Sequence, residues 1–126
     1  MLRDKPVVAT IAVKDIEAAK KFYENILGLT RASEDDPGGI LYKSGDSNLF
    51  VYKSEYAGTN KATAASWGVG EEISSITKEL EAKGITFESY DMPGVNRDGV
   101  IHLIGDLKAA WFKDPDGNIL NLVNKM

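Results

Sequence analysis

Hydrophobic and polar positions along this chain change period in a way that separates strands from helices. Near the N-terminus the run Val7-Val8-Ala9-Thr10-Ile11-Ala12-Val13 reads as a strand, with Val8, Thr10 and Ala12 on one side and Ala9, Ile11 and Val13 on the other. From residue 16 to 27 the apolar positions recur at helical spacing: Ile16, Ala19, Phe22, Tyr23, Ile26 and Leu27 make one stripe. Glu17, Lys20, Lys21 and Glu24 occupy the opposite side. Asp15 is suited to start this helix and Gly28 to stop it. A second helix is predicted over 72–83, with Ile73, Ile76 and Leu80 as its stripe and Gly84 as its stop. Both stripes predict helices packed on a sheet.

The two patterns are copies of one unit. Ile11-Ala12-Val13-Lys14-Asp15 lies on Trp67-Gly68-Val69-Gly70-Glu71 at an offset of 56 residues, and Gly28-Leu29 lies on Gly84-Ile85 at the same offset. Further along, Leu41-Tyr42-Lys43 matches Trp111-Phe112-Lys113, and Asn48-Leu49-Phe50-Val51 matches Asn118-Ile119-Leu120-Asn121, both at 70. The difference between the offsets, 14 residues, is an insertion after a strand at 86–90. It falls within 91–106, a stretch rich in turn formers that reads as an excursion loop able to cover a pocket. Asp114-Pro115-Asp116-Gly117 is a strong turn signal joining strands at 108–113 and 118–124, and Gly45-Asp46-Ser47 is its counterpart. The expectation is one α+β domain over 1–126, made of a module at about 1–60 and a second at about 61–126 that carries the loop 91–106.

Composition narrows the chemistry. A chain of 126 residues is enough for one core, and with no cysteine it holds no disulfide, thiolate zinc site or thiol nucleophile. A reducing cytoplasm suits it, with no secretory signal and no stretch near the roughly 20 apolar residues of a membrane span. A net charge of -4 argues against a nucleic-acid surface. The expected partners are a small molecule and a second copy of the chain. Glu34-Asp35-Asp36-Pro37-Gly38-Gly39 lacks the spacing of a calcium loop and reads as a solvated hairpin turn. Gly68-x-Gly70 lacks a phosphate-binding pattern, and no Ser-His-Asp arrangement is present.

Val13-x-Asp15-Ile16 followed by Phe22-Tyr23-x-x-Ile26-Leu27-Gly28-Leu29, with Trp111-Phe112-x-Asp114-Pro115-Asp116-Gly117-Asn118 near the end, resembles the glyoxalase/bleomycin-resistance/dioxygenase family, the vicinal oxygen chelate superfamily. The resemblance covers nearly the whole chain. It implies two tandem βαβββ modules forming curled mixed sheets with a concave pocket, commonly assembled as homodimers. It also implies four metal-ligand positions, typically His and Glu, one on the first and one on the last strand of each module. Carried over here, they fall on Val8, Val51, Ala64 and Asn121, three of which have no donor atom in the side chain. No metal and no other cofactor is expected. A one-residue slip brings in only Val7, Ala9, Ala65 and Leu120.

What remains is a small, mostly apolar lining: Val8, Thr10, Ala12, Leu49, Val51, Ala64, Ser66, Ile119, Asn121 and Val123. Tyr42, Trp111 and Tyr90 are candidate stacking surfaces, Asn121 a ligand-orienting amide, and Thr10 and Ser66 minor polar contacts. His102, the only histidine, falls in the inserted loop as a candidate lid base. Each of these also has a purely structural reading. The resemblance to metal-free bleomycin-resistance members implies a small-molecule binding protein that sequesters a toxic or antibiotic compound without catalysis. One alternative is a metal-dependent lyase or dioxygenase using Asn121, His102 and Glu88 or Asp91; another is an interaction or regulatory module.

Overall fold

Each half of the chain folds its apolar stripe onto a mixed sheet, and the two sheets repeat the same plan. The computed structural model describes residues 1–33 and 38–126, so residues 34–37 of the expected acidic turn lie outside the described residues. The first sheet contains β1 (Ala9–Val13), β2 (Thr30–Arg31), β3 (Gly39–Ser44) and β4 (Ser47–Lys53), in the order β1-β4-β3-β2. The second contains β5 (Thr63–Gly68), β6 (Asn96–Asp98), β7 (Ile101–Ile104), β8 (Leu107–Lys113) and β9 (Ile119–Val123), in the order β5-β9-β8-β7-β6. In both, the first strand pairs in parallel with the last and the remaining pairs are antiparallel. This is the expected α+β architecture, a βαβββ unit followed by a second that carries one strand more.

The first helix begins where Asp15 accepts the backbone N–H groups of Glu17 (2.9 Å) and Ala18 (3.4 Å) on its Oδ1, satisfying two otherwise orphaned donors. It is α-helical over Ile16–Lys20 (α1) and widens to a π-helix over Lys21–Ile26, beyond which the Leu27 N–H bonds to the Phe22 carbonyl five residues back. The widened turn carries Phe22 and Tyr23, both buried. The second helix, α2, covers Ile73–Ala82 after a 3₁₀ turn at Gly70–Glu72 and buries Ile73, Thr77 and Leu80.

One cluster of buried side chains joins both halves: Ile11, Val13, Phe22, Tyr23, Tyr42 and Val51 from the first meet Ile73, Leu80, Phe112 and Leu120 from the second. Phe22 and Phe112 rings lie 6.4 Å apart across that junction. Each such large side chain contributes about 1.5–3 kcal/mol by leaving water.

A buried polar network crosses the same junction and links the two sequence motifs at opposite ends of the chain. The Tyr23 hydroxyl donates to Asp114 Oδ2 at 2.7 Å, and Asn118 Nδ2 donates to the same oxygen and to the Ala12 carbonyl, both at 2.8 Å. Asp114 Oδ1 accepts the backbone N–H groups of Asp116 and Asn118. Burial, followed by the charge and hydrogen bond of Asp114, pushes the Tyr23 hydroxyl far above its ordinary pKa. The folded chain therefore keeps this proton at pH values where the unfolded chain has lost it. Stability contributed by Tyr23 is complete below pH about 10 and falls as pH rises further, by about 1.4 kcal/mol per unit. Urea midpoints between pH 9 and 11, as about the accessible window, are expected to fall more steeply for the native chain than for Tyr23→Phe.

Three expectations change. Residues 91–106 are not simply a loop, because β6 and β7 form a hairpin whose inner strand extends the second sheet beside β8. The stretch 86–90 contributes an isolated bridge, Phe87 to Phe112, in place of a full strand. The turns also differ: Ser44 pairs with Ser47 across two residues, whereas Asp114 N–H bonds to the Asn118 carbonyl across three. That extra residue makes the offset between β4 and β9 71, with Thr10 opposite Phe50 as Ser66 is opposite Asn121.

Candidate functional site

Because partners in a ladder point to the same side, the register identifies which residues face away from the helices. On the first sheet these are Thr10 and Ala12 beside Phe50 and Tyr52, whose rings stack 6.0 Å apart at an interplanar angle of 2°. On the second they are Ser66, Asn121 and Trp111, followed by Ala109 and its partner His102.

Val51 and Tyr42 are accordingly on the wrong side for a pocket. Val51 pairs with Ile11 and is buried beneath the first helix, and Phe50 takes the place expected for it. Leu49, opposite Tyr42, is in the same core. Tyr42 is buried and donates its hydroxyl to Glu24 Oε2 at 2.8 Å. Burial pushes the Glu24 carboxyl up, but hydrogen bonds from Arg31 and Tyr42 and the charges of Arg31 and Lys20 outweigh it and hold the pKa below its ordinary value. This is a structural cluster at the helix surface.

Asn121 spends its amide within the sheet. Its Oδ1 accepts the Ser66 hydroxyl at 2.9 Å, and its Nδ2 donates to the carbonyls of Ala110 (3.1 Å) and Leu122 (3.4 Å). His102 is a strand residue, fully buried, and its Nε2 accepts the Tyr90 N–H at 3.0 Å. Among the described residues its Nδ1 has no hydrogen-bond partner. A buried position in β7 does not fit a lid base. His102→Leu leaves the Tyr90 N–H without an acceptor and is expected to cost about 1–3 kcal/mol, which thermal or urea denaturation measures.

Trp111 is the centre of the open face. Tyr90 and His102 meet its ring edge-on at 5.3 Å and 5.0 Å, and its Nε1 donates to Thr63 Oγ1 at 3.3 Å. Over it opens a cavity of about 740 Å³ with Thr63, Trp111, Lys113 and Ile119 beneath, Glu88, Tyr90 and Met92 on one side and 60–62 on the other. Its volume is within the range of small-molecule pockets. Glu88 and Lys113 form an ion pair at 3.4 Å. Of the candidates read from the sequence, Trp111, Tyr90 and Ile119 line this cavity; Val8, Thr10, Ala64, Ser66, Asn121 and His102 do not. Thr63, Lys113 and Met92 were not anticipated, although Lys113 lies two residues from Trp111 on the same face and strand parity points to it.

The family resemblance puts the first-strand metal positions at Val8 and Ala64, the latter unpaired at a bulge where Thr63 stands opposite Ile119, and the corrected register puts the last-strand positions at Phe50 and Asn121. Three have no donor and the fourth is an amide already bonded, so these residues do not fit a divalent ion. Among the described residues, no group of three His, Cys, Asp or Glu side chains is placed to hold one elsewhere. No helix among the described residues is long and apolar enough to cross a membrane.

The family model for the Glyoxalase/Bleomycin resistance protein/Dioxygenase superfamily matches residues 5–122. No curated protein matches the chain. Among solved structures, a bleomycin resistance determinant encoded on the transposon Tn5 superposes with a TM-score of 0.73 at 19% identity, covering 96% of this chain and 98% of that one. A bleomycin-binding protein complexed with bleomycin gives 0.73 at 18% identity, covering 97% and 99%. Lactoylglutathione lyase from Agrobacterium tumefaciens gives 0.68 at 16% identity, covering 93% and 90%. At these identities the likeness is one of fold.

Proposed function

The chain belongs to the glyoxalase/bleomycin resistance protein/dioxygenase superfamily, and from that premise we propose that it is a metal-independent small-molecule binding protein. Its ligand enters the cavity over Trp111 and stacks there, held without covalent chemistry. One observation carries this reading: the positions that would hold a metal are Val8, Phe50, Ala64 and Asn121, while an aromatic wall stands open beside them. Sequestration of a toxic or antibiotic compound, by a homodimer in the cytoplasm, is the role that follows. Two of the solved structures with this fold are a bleomycin resistance determinant and a bleomycin-binding protein, which supports binding as a sufficient activity for it. The metal-dependent alternative draws no support from Asn121 and His102, since the Asn121 amide and His102 Nε2 are bonded within the protein.

A thermal-shift comparison tests the proposal. Planar aromatic compounds are expected to raise the melting temperature in proportion to occupancy, and Mn, Ni, Zn, Fe and Mg ions to leave it unchanged. Trp111→Ala is expected to weaken aromatic binding about tenfold, the loss of one well-stacked contact. A stoichiometric metal bound at micromolar affinity or tighter would overturn the proposal.

A further inference from the structure

Charge is distributed unevenly between the cavity and the rest of the chain. Overall, 19 acidic residues outnumber 15 Lys and Arg. Among the described residues lining the cavity the balance reverses: Lys61 and Lys113 face a single carboxylate, Glu88. Glu88 is paired with Lys113, and Lys61 has no ion-pair partner among the described residues. Arg97, opposite His102 in the ladder, adds a cation to an adjoining recess that also holds Asp91 and shares Tyr90 and Met92 with the main cavity.

We propose that the cavity over Trp111 selects aromatic ligands bearing a negative group, a carboxylate or sulfonate on a flat ring system, with Lys61 and Lys113 receiving the anion. This inference rests on the reading of the cavity as a small-molecule site and specifies the class of ligand. Two forces compete in such a site. The face of Trp111 attracts cations through its quadrupole, while the surplus lysine attracts anions and repels cations. The lysine charge acts over a longer range, within roughly a 10 Å screening length at 0.1 M salt, and therefore also steers the approach of the ligand.

Three compounds with one ring system separate the possibilities: 2-naphthoate, neutral 2-naphthamide and cationic 2-naphthylmethylammonium, titrated calorimetrically into the full chain. The anion is expected to bind about fivefold more tightly than the amide, the scale of one partly exposed charge pair. That margin should shrink when salt rises from about 20 to about 300 mM, and it should vanish in Lys61→Gln. Lys113→Gln, which leaves Glu88 uncompensated, is expected to move the preference toward the cation. Equal or tighter binding of the amide or the cation to the native chain would overturn the anion preference while leaving the binding site standing. Binding of none of the three would remove both. Circular dichroism of each variant confirms that a lost preference does not come from a lost fold.

Discussion

Replacing Asp114 with alanine is expected to lower the unfolding free energy by about 3 kcal/mol or more, because three buried donors lose their acceptor at once. The Tyr23 hydroxyl, the Asn118 side chain and the Asn118 backbone N–H all converge on this carboxylate, which is 5% exposed. Each orphaned donor costs about 1–3 kcal/mol, and no water is admitted easily to a junction of packed helix and strand. For a domain whose whole stability is about 5–15 kcal/mol, this is a large share. Tyr23→Phe removes only one of the three bonds and should cost about 1.5–3 kcal/mol, a bond to a charged acceptor. Urea denaturation of Asp114→Ala, Tyr23→Phe and the double variant measures the coupling. If the network acts as one unit, the double variant will lie close to Asp114→Ala alone. Additive losses would mean that Tyr23 and Asp114 act independently.

The second large effect is expected at Gly58. It sits at φ +75°, and a Cβ added there would overlap the Asp116 backbone carbonyl. Alanine therefore suffers twice, from the left-handed backbone at about 1–2 kcal/mol and from displacement of the turn at about 1–3 kcal/mol. Gly28 is the matched control, with φ +76° and nothing within 4 Å of the added atom. Gly28→Ala should show the backbone cost alone. If both variants unfold at the same denaturant concentration, the contact between Gly58 and Asp116 does not constrain the turn.

Those two sites also mark how far the sequence could be read. Helix stripes such as Phe22 and Tyr23, the start at Asp15 and the turn at 114–117 are local signals, and the structure keeps them. The faces of β4 were a different matter. Asn48 and Asn118 invite alignment by identity, yet the turn before Asn118 is one residue longer, and with a period of two that single residue exchanges inner and outer positions. Val51 thus passed for a pocket residue while Phe50 held the place. His102 escapes the sequence pattern for a related reason. Turn-forming residues on both sides of it hide a three-residue and a four-residue strand, too short for alternation to register. Tyr42 shares its strand with Leu41, and only the pairing of β3 with β4 shows which of the two meets the helix. The partners of Asn121 were beyond reach, since a polar residue on a strand pattern looks the same whether it awaits a ligand or bonds across the sheet.

The contact between Tyr23 and Asp114 spans 91 residues of sequence, and the bond from Asn118 to Ala12 spans 106. During synthesis the first unit emerges long before either partner exists, so its aromatic helix must wait with a polar group unpaired and its apolar flank uncovered. Closure of the core is thereby tied to residues 114–118, and a product truncated before residue 114 has no means of completing it. The arrangement makes folding a test of translation as far as residue 118, in which a chain released earlier remains open to proteolysis.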